Sequence, residues 1–360
     1  MFLTDSLLPE QFLLQLKENK IPISTILLGD AWHVQGDPLK FDEDAIRINE
    51  LKHLCNVYDK KIGLTVMPSI PLKENTYSYR TLVESGIPIK GHEYSFLPLD
   101  NQKLNLYATY GIRAWLALGA DTFYIDYNNI KDKKVLALLN HYFYATTELL
   151  LNKRGLVLSR NYDCSSHRSQ IIYNGRTKVD WATLEVLPRY QATASNNGLS
   201  FVASPIGGFY GGIENFELYI RYIQLGVFSS MLILASDGGK YYKREPWRWD
   251  TSQLQIIRKY LMLRNQLVPY IYTESYIYHK SGSPLIQPLY YKYPKIYDEP
   301  LYKNQYFFGS QMLVCPITKK KNVLMNRVVQ RLFIPEGIWY ELESGKKYIG
   351  NKYYMSFYKD

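Results

Sequence analysis

The residues best suited to chemistry begin with Asp126. The run Phe123-Tyr-Ile-Asp126 is apolar until it ends in a carboxylate, and Tyr127, Asn128 and Asn129 follow. Parallel strands covered on both faces read as continuous apolar runs, so polarity arriving at the C-terminal end marks a rim where ligands bind. Asp126 is therefore the first candidate catalytic group, although its pattern also fits a turn residue or a cap for the helix after Asp132. Other chemistries find little support. Cys55, Cys164 and Cys315 are far apart and lack metal-ligand spacing, so no metal site is expected. Gly207-Gly208 and Gly211-Gly212 come too late, and in the wrong spacing, to cradle a dinucleotide.

A rim carboxylate needs a scaffold. Apolar runs at residues 23–28, 62–67, 94–97, 122–126, 155–159, 170–173, 199–203 and 231–235 alternate with helical patterns at 42–58, 77–84, 104–118, 135–151, 181–194, 214–228 and 251–278. Gly119 follows the third of these helices as a C-terminal cap would. About eight strand–helix alternations predict an α/β fold, a closed (β/α)8 TIM barrel spanning residues 1–278. From residue 279 to 360 the texture changes to short extended runs punctuated by Pro and Gly, at 285–291, 311–314, 329–334, 337–340 and 353–357. This predicts a small, incomplete antiparallel β domain packed on the barrel.

Composition narrows the classes further. With 360 residues, 46% of them hydrophobic, the chain can bury a large core. No stretch approaches the roughly 20 apolar residues of a membrane helix. No membrane association is expected, and three dispersed cysteines fit the cytoplasm. The net charge of +10 invites a nucleic-acid reading, but the basic residues are scattered, the densest runs lying at 131–134 and 319–321. No specific nucleic acid partner is expected. The 34 tyrosines often stand beside lysine, as in Tyr290-Tyr-Lys-Tyr293, which suits stacking on bases or sugars but equally reflects compositional drift.

Several segments together resemble glycoside hydrolase family 31, the retaining α-glycosidases. They are the stretch from Gly207-Gly-Phe-Tyr-Gly-Gly to Phe228, Lys240 to Asp250, Leu263-Arg264, Val268-Pro-Tyr-Ile-Tyr272, Pro284 to Pro288, and Gln305-Tyr-Phe-Phe-Gly309. The resemblance implies a barrel followed by β-rich domains, a carbohydrate partner with an α-linked hexose or xylose, and no cofactor. Retaining glycosidases place two carboxyl groups about 5 to 5.5 Å apart, one attacking the anomeric carbon and one protonating the leaving oxygen. Asp126 matches the family's nucleophile at the end of the fourth strand, and Arg160 its arginine that binds substrate hydroxyls. Asp30 and Trp32, in Gly29-Asp30-Ala31-Trp32, match a rim where the family often has a Trp with paired acids. Trp32, Tyr127, Tyr173 and Phe209 can stack on sugar faces, or, for Tyr173 and Phe209, belong to the core.

The departures are pointed. The family's acid/base aspartate, in a Gly-Asp pair, is Arg176 after Gly175; a second pocket aspartate is Pro205; and its Arg-x-His aligns with Ile233-Leu-Ala235. Arginine cannot donate a proton near neutral pH. Asp180 is the nearest replacement acid, though its place before Trp181 better fits a helix cap; Asp163, His167 and Asp237 are further candidates. Two readings follow: an α-glycosidase using Asp126, or a catalytically inactive relative, whether a barrel that binds carbohydrate or a partner or a degenerate gene product.

Overall fold

The computed structural model describes residues 1–4, 9–44, 46–67, 72–86, 108–126, 133–160, 170–212, 214–237, 244–297 and 299–359. Eight parallel strands close a barrel: β1 (Phe2–Thr4), β2 (Thr25–Leu28), β3 (Lys61–Val66), β4 (Ala120–Ile125), β5 (Leu156–Ser159), β6 (Ile171–Tyr173), β7 (Val202–Ile206) and β8 (Met231–Leu234). Each strand pairs with its predecessor, and Phe2 in β1 pairs with Leu234 in β8 to close the ring. The barrel therefore starts earlier than residues 23–28. A three-residue strand carries too little periodicity to be read from sequence. The expected strand at 94–97 lies outside the described residues, and β3 pairs directly with β4, so Asp126 still follows the fourth strand.

Strand alternation builds two cores. Leu27, Tyr124, Leu158, Tyr173, Ala203 and Ile233 pack together inside the barrel. Ile26, Leu28, Leu64, Phe123, Ile125 and Val157 join the larger core between strands and helices. Successive side chains alternate faces, so Asp126 and Arg160, two residues beyond Tyr124 and Leu158, belong to the inward set at the barrel mouth.

The surrounding helices are α1 (Pro9–Glu18), α2 (Ile48–Val57), α3 (Tyr77–Glu84), α4 (Arg113–Ala117), α5 (Lys133–Leu151), α6 (Trp181–Ala194), α7 (Phe216–Val227), α8 (Thr251–Gln266) and α9 (Val268–Ser281). Helix α2 starts later than expected because Asp42 organises a turn: its side chain accepts from the Asp44 N–H at 3.2 Å and its carbonyl from the Ile46 N–H at 3.0 Å. The expected helix over 251–278 is two. Pro269 has no N–H and its ring obstructs the preceding turn, so it is accommodated in the first turn of a new helix. Gly119 closes α4 at φ 103° and donates to the Leu116 carbonyl at 3.0 Å.

Beyond α9, β9 (Ile286–Pro288), β10 (Tyr306–Phe308) and β11 (Met312–Val314) form an antiparallel sheet, followed by the pairs Val328–Ile334 with Lys352–Tyr358 and Ile338–Tyr340 with Lys347–Ile349. The expected run 285–291 stops at Pro288 and continues as a 3-10 turn. These sheets sit on the barrel's helical layer: the Tyr306 hydroxyl donates to the Phe228 carbonyl at 2.9 Å, and the Leu285 N–H to Ser200 Oγ at 3.0 Å. Among the described residues no helix is long and apolar enough to cross a membrane.

Candidate active site

A cavity of about 210 Å³ opens at the C-terminal end of the barrel, lined among others by Asp30, Tyr124, Tyr173, Arg176, Phe209 and Asp237. Thr65, near the end of β3, also lines it, and its Oγ1 is buried without a hydrogen-bond partner. An unpartnered buried hydroxyl costs free energy until a ligand or water meets it. The sequence contained no signal for this residue beyond its place before the end of an apolar run.

Asp126 is 0% exposed. Its backbone N–H extends the β3–β4 ladder by donating to the Val66 carbonyl at 2.9 Å, which fixes where the side chain leaves the barrel. Arg160 Nη1 approaches Oδ1 at 3.5 Å, and Arg176 Nη2 lies 3.6 Å from Oδ2, which has no hydrogen-bond partner. The carboxylate therefore meets a guanidinium group at each oxygen, and its Oδ2 is buried without a hydrogen bond. Arg176 reaches this place because Gly175 turns the chain at φ 89°, a left-handed conformation that glycine adopts without steric cost. Its guanidinium lies over the Phe209 ring, 5.2 Å from the centroid.

Two family models account for nearly the whole chain: residues 9–274 match the family 31 glycosyl hydrolase TIM-barrel domain and residues 282–359 the family 31 glycosyl hydrolase C-terminal domain. The chain belongs to glycoside hydrolase family 31. An alpha-xylosidase of Saccharolobus solfataricus is 25% identical over 94% of this chain and 49% of its own length. The mouse neutral alpha-glucosidase C is 30% identical over 55% of this chain and 22% of its own. The chain thus spans half or less of these relatives. Among solved structures, a cycloalternan-degrading enzyme from Trueperella pyogenes, in complex with a covalent intermediate, superposes with a TM-score of 0.85 at 16% identity, over 99% of this chain and 57% of that one. A family 31 alpha-xylosidase from a soil metagenome, complexed with xylose, gives 0.82 at 20% identity, over 97% and 59%. At those identities the likeness is one of fold.

The family 31 block at residues 207–212 owes its glycines to close approach. The loop after β7 is stitched to the segment after β6 by the Phe209 N–H donating to the Thr177 carbonyl at 2.7 Å and the Val179 N–H to the Tyr210 carbonyl at 3.0 Å. Gly208 has φ 78°, and a Cβ there would meet Val179 Cα at 2.8 Å. Gly212 has φ 88°, and a Cβ would overlap the Val179 carbonyl. Buried Arg244 clamps the same loop from behind, donating through Nε to the Gly208 carbonyl at 3.0 Å and through Nη2 to that of Gly207. Burial pulls the Arg244 pKa down, opposed by the neighbouring Tyr219 and Tyr222. Its positioning role was invisible in sequence, where it is one arginine in a charged stretch.

The remaining candidates divide. Asp30 and Asp237 line the cavity. Tyr173 and Phe209 line it too and are at the same time buried in the barrel interior, Tyr173 packing edge-on against Tyr124 at 5.0 Å. Trp32 is elsewhere: it is 1% exposed, edge-on to Trp115 at 5.2 Å, and its Nε1 donates to the Thr65 carbonyl at 2.6 Å. A ring so enclosed supports the wall from behind and has no open face for a sugar. Asp180 caps α6, accepting from the Thr183 N–H at 2.7 Å, with Lys178 Nζ 3.6 Å away. Desolvation pushes its pKa up, but the Thr183 hydrogen bonds and the Lys178 charge outweigh this and hold it below the usual carboxylate value. Tyr127, Asp163 and His167 lie outside the described residues. Among the described residues no group of three or more His, Cys, Asp or Glu is arranged to hold a metal ion.

Proposed function

We propose that the chain binds an α-linked glucoside or xyloside in the barrel mouth and supports retaining displacement at Asp126, confined to substrates whose leaving group needs no proton. The observation that carries this reading is the fully buried Asp126, whose Oδ2 makes no hydrogen bond and lies 3.6 Å from the cavity-lining Arg176, the position that should protonate the leaving oxygen. Thr65 Oγ1, Asp30 and Asp237 supply polar groups suited to sugar hydroxyls. Asp180 serves α6 as its cap. A carboxylate held ionised by donated hydrogen bonds is in the wrong state to give a proton. Membership of family 31, together with α-xylosidase and α-glucosidase relatives, supports the substrate class.

The test is hydrolysis of 2,4-dinitrophenyl α-glucoside and α-xyloside against the methyl α-glycosides. General acid catalysis is worth about 10²- to 10⁴-fold and matters least when the leaving group is good. The aryl substrates should turn over with the α-anomer as first product by NMR, and the methyl glycosides should not. Aryl turnover no faster than that of Asp126→Asn would leave a binding-only barrel.

A further inference from the structure

The cavity brings acids and guanidinium groups to one mouth. Strand order puts β2 and β8 on either side of β1. Asp30 and Asp237, just beyond β2 and β8, line one sector of the mouth. Arg160 and Arg176, just beyond β5 and β6, meet at Asp126. Arg176 both lines the cavity and is 43% exposed in its side chain, so its charge is presented to the pocket as well as to Asp126. A guanidinium binds phosphate oxygens through a planar fork and is not titrated near neutral pH. Beside a nucleophile it cannot protonate a departing oxygen, but it can stabilise one that departs as an anion.

Resting on Asp126 as the nucleophile, we propose that this site takes α-glycosyl phosphates, with Arg176 holding the phosphate as it leaves. The substrate is the monoanion of the sugar 1-phosphate. Asp126 forms a bond to C1 as the C1–O bond breaks, and the electron pair leaves with hydrogen phosphate on Arg176. Water then attacks C1, its proton passes to that hydrogen phosphate, and the Asp126 carboxylate is released. The net reaction converts the sugar phosphate and water into free sugar of retained configuration and dihydrogen phosphate. Asp30 and Asp237, which line the same cavity, meet the sugar hydroxyls.

The probes are α-D-glucose 1-phosphate and α-D-xylose 1-phosphate, with glucose 6-phosphate as the control that carries the same charge away from C1. Release of inorganic phosphate is expected from the first two only, with a rate that falls as pH rises above about 6, where the monoanion gives way to the dianion. Arg176→Gln should lower it by about 10²- to 10³-fold, the cost of losing one charge-stabilising donor. Arg176→Lys should recover part. An activated 5-fluoro-α-glycosyl fluoride should label Asp126 in the unaltered chain, which reports an intact nucleophile and pocket. Labelling without phosphate release, or release unchanged in Arg176→Gln, overturns the phosphate assignment and leaves Asp126 as nucleophile. Absence of labelling in the unaltered chain overturns both.

Discussion

Arg176 Nη2 lies 3.6 Å from Asp126 Oδ2, so the buried carboxylate at the end of β4 is paired with a base that never gives up its proton. On the proposed reading, the pair leaves a family 31 barrel with an attacking carboxylate and no acid for an unactivated leaving group. It predicts that exchanging the guanidinium for a carboxyl moves the balance back. Arg176→Asp should raise turnover of unactivated α-glycosides by about 10-fold or more, toward the lower end of what a positioned general acid contributes, and give the pH–rate profile an acid limb absent before. Initial-rate measurements on methyl and aryl α-glycosides across pH 4–8, a range chosen around ordinary carboxylate pKa values, check this. A profile and rate like those of the unaltered chain would show that position 176 does not face the leaving oxygen.

Asp180 is expected to matter for stability and not for rate. Replacing an N-cap Asp by Ala costs about 0.5 to 2 kcal/mol, and Asp180→Ala should lose that much while Asp126 remains fully labelled. The sign with pH follows from its lowered folded pKa. The contribution is present above the unfolded value of about 3.9 and disappears as pH falls through the lower folded value. Urea melts of the two proteins should therefore differ near pH 6 and converge in strong acid. A loss of rate without loss of stability would return Asp180 to the catalytic list.

Trp32 is expected to act through Thr65. Trp32→Phe keeps most of the ring but removes the donor to the Thr65 carbonyl, at a cost of about 1 to 3 kcal/mol. Chemical denaturation should record that loss. Sugar affinity falling far more than stability would mean that the indole meets the ligand.

The wall glycines yield a sharper prediction. Gly208→Ala places a methyl group 2.8 Å from Val179 Cα in a left-handed backbone conformation, so the loops after β6 and β7 must separate. Both Phe209 and Arg176 border that seam. The variant should melt lower and label more slowly at Asp126, whereas Gly282→Ala, also at positive φ but with nothing within 4 Å, should cost stability alone.

Legibility in the sequence tracked how much each residue's neighbours constrain it. Asp126 was readable because three buried apolar residues, Phe123 to Ile125, directly precede it, and its place as the end of the fourth strand holds even though the first strand lies earlier than the sequence pattern shows. β1, with three residues, offered no period to detect. Asp180 was readable as a cap because capping needs only its own helix. Trp32 was misassigned to the rim since an indole beside a carboxylate looks the same in sequence whether its ring faces a ligand or Trp115. Pro269 lies inside the run whose periodicity reads as one helix, and its missing N–H is what divides α8 from α9. Thr65 and Arg244 were out of reach, because their roles depend on contacts across strands and loops that no local pattern encodes.

On the proposed reading, Asp126 is the group an anomeric carbon meets. Incubation with 5-fluoro-α-glucosyl and 5-fluoro-α-xylosyl fluorides, followed by intact-mass and peptide mass spectrometry, tests it directly. One glycosyl increment should appear, map to the peptide carrying Asp126, and vanish in Asp126→Asn. No increment with either reagent, or an increment that persists in Asp126→Asn, would contradict the account.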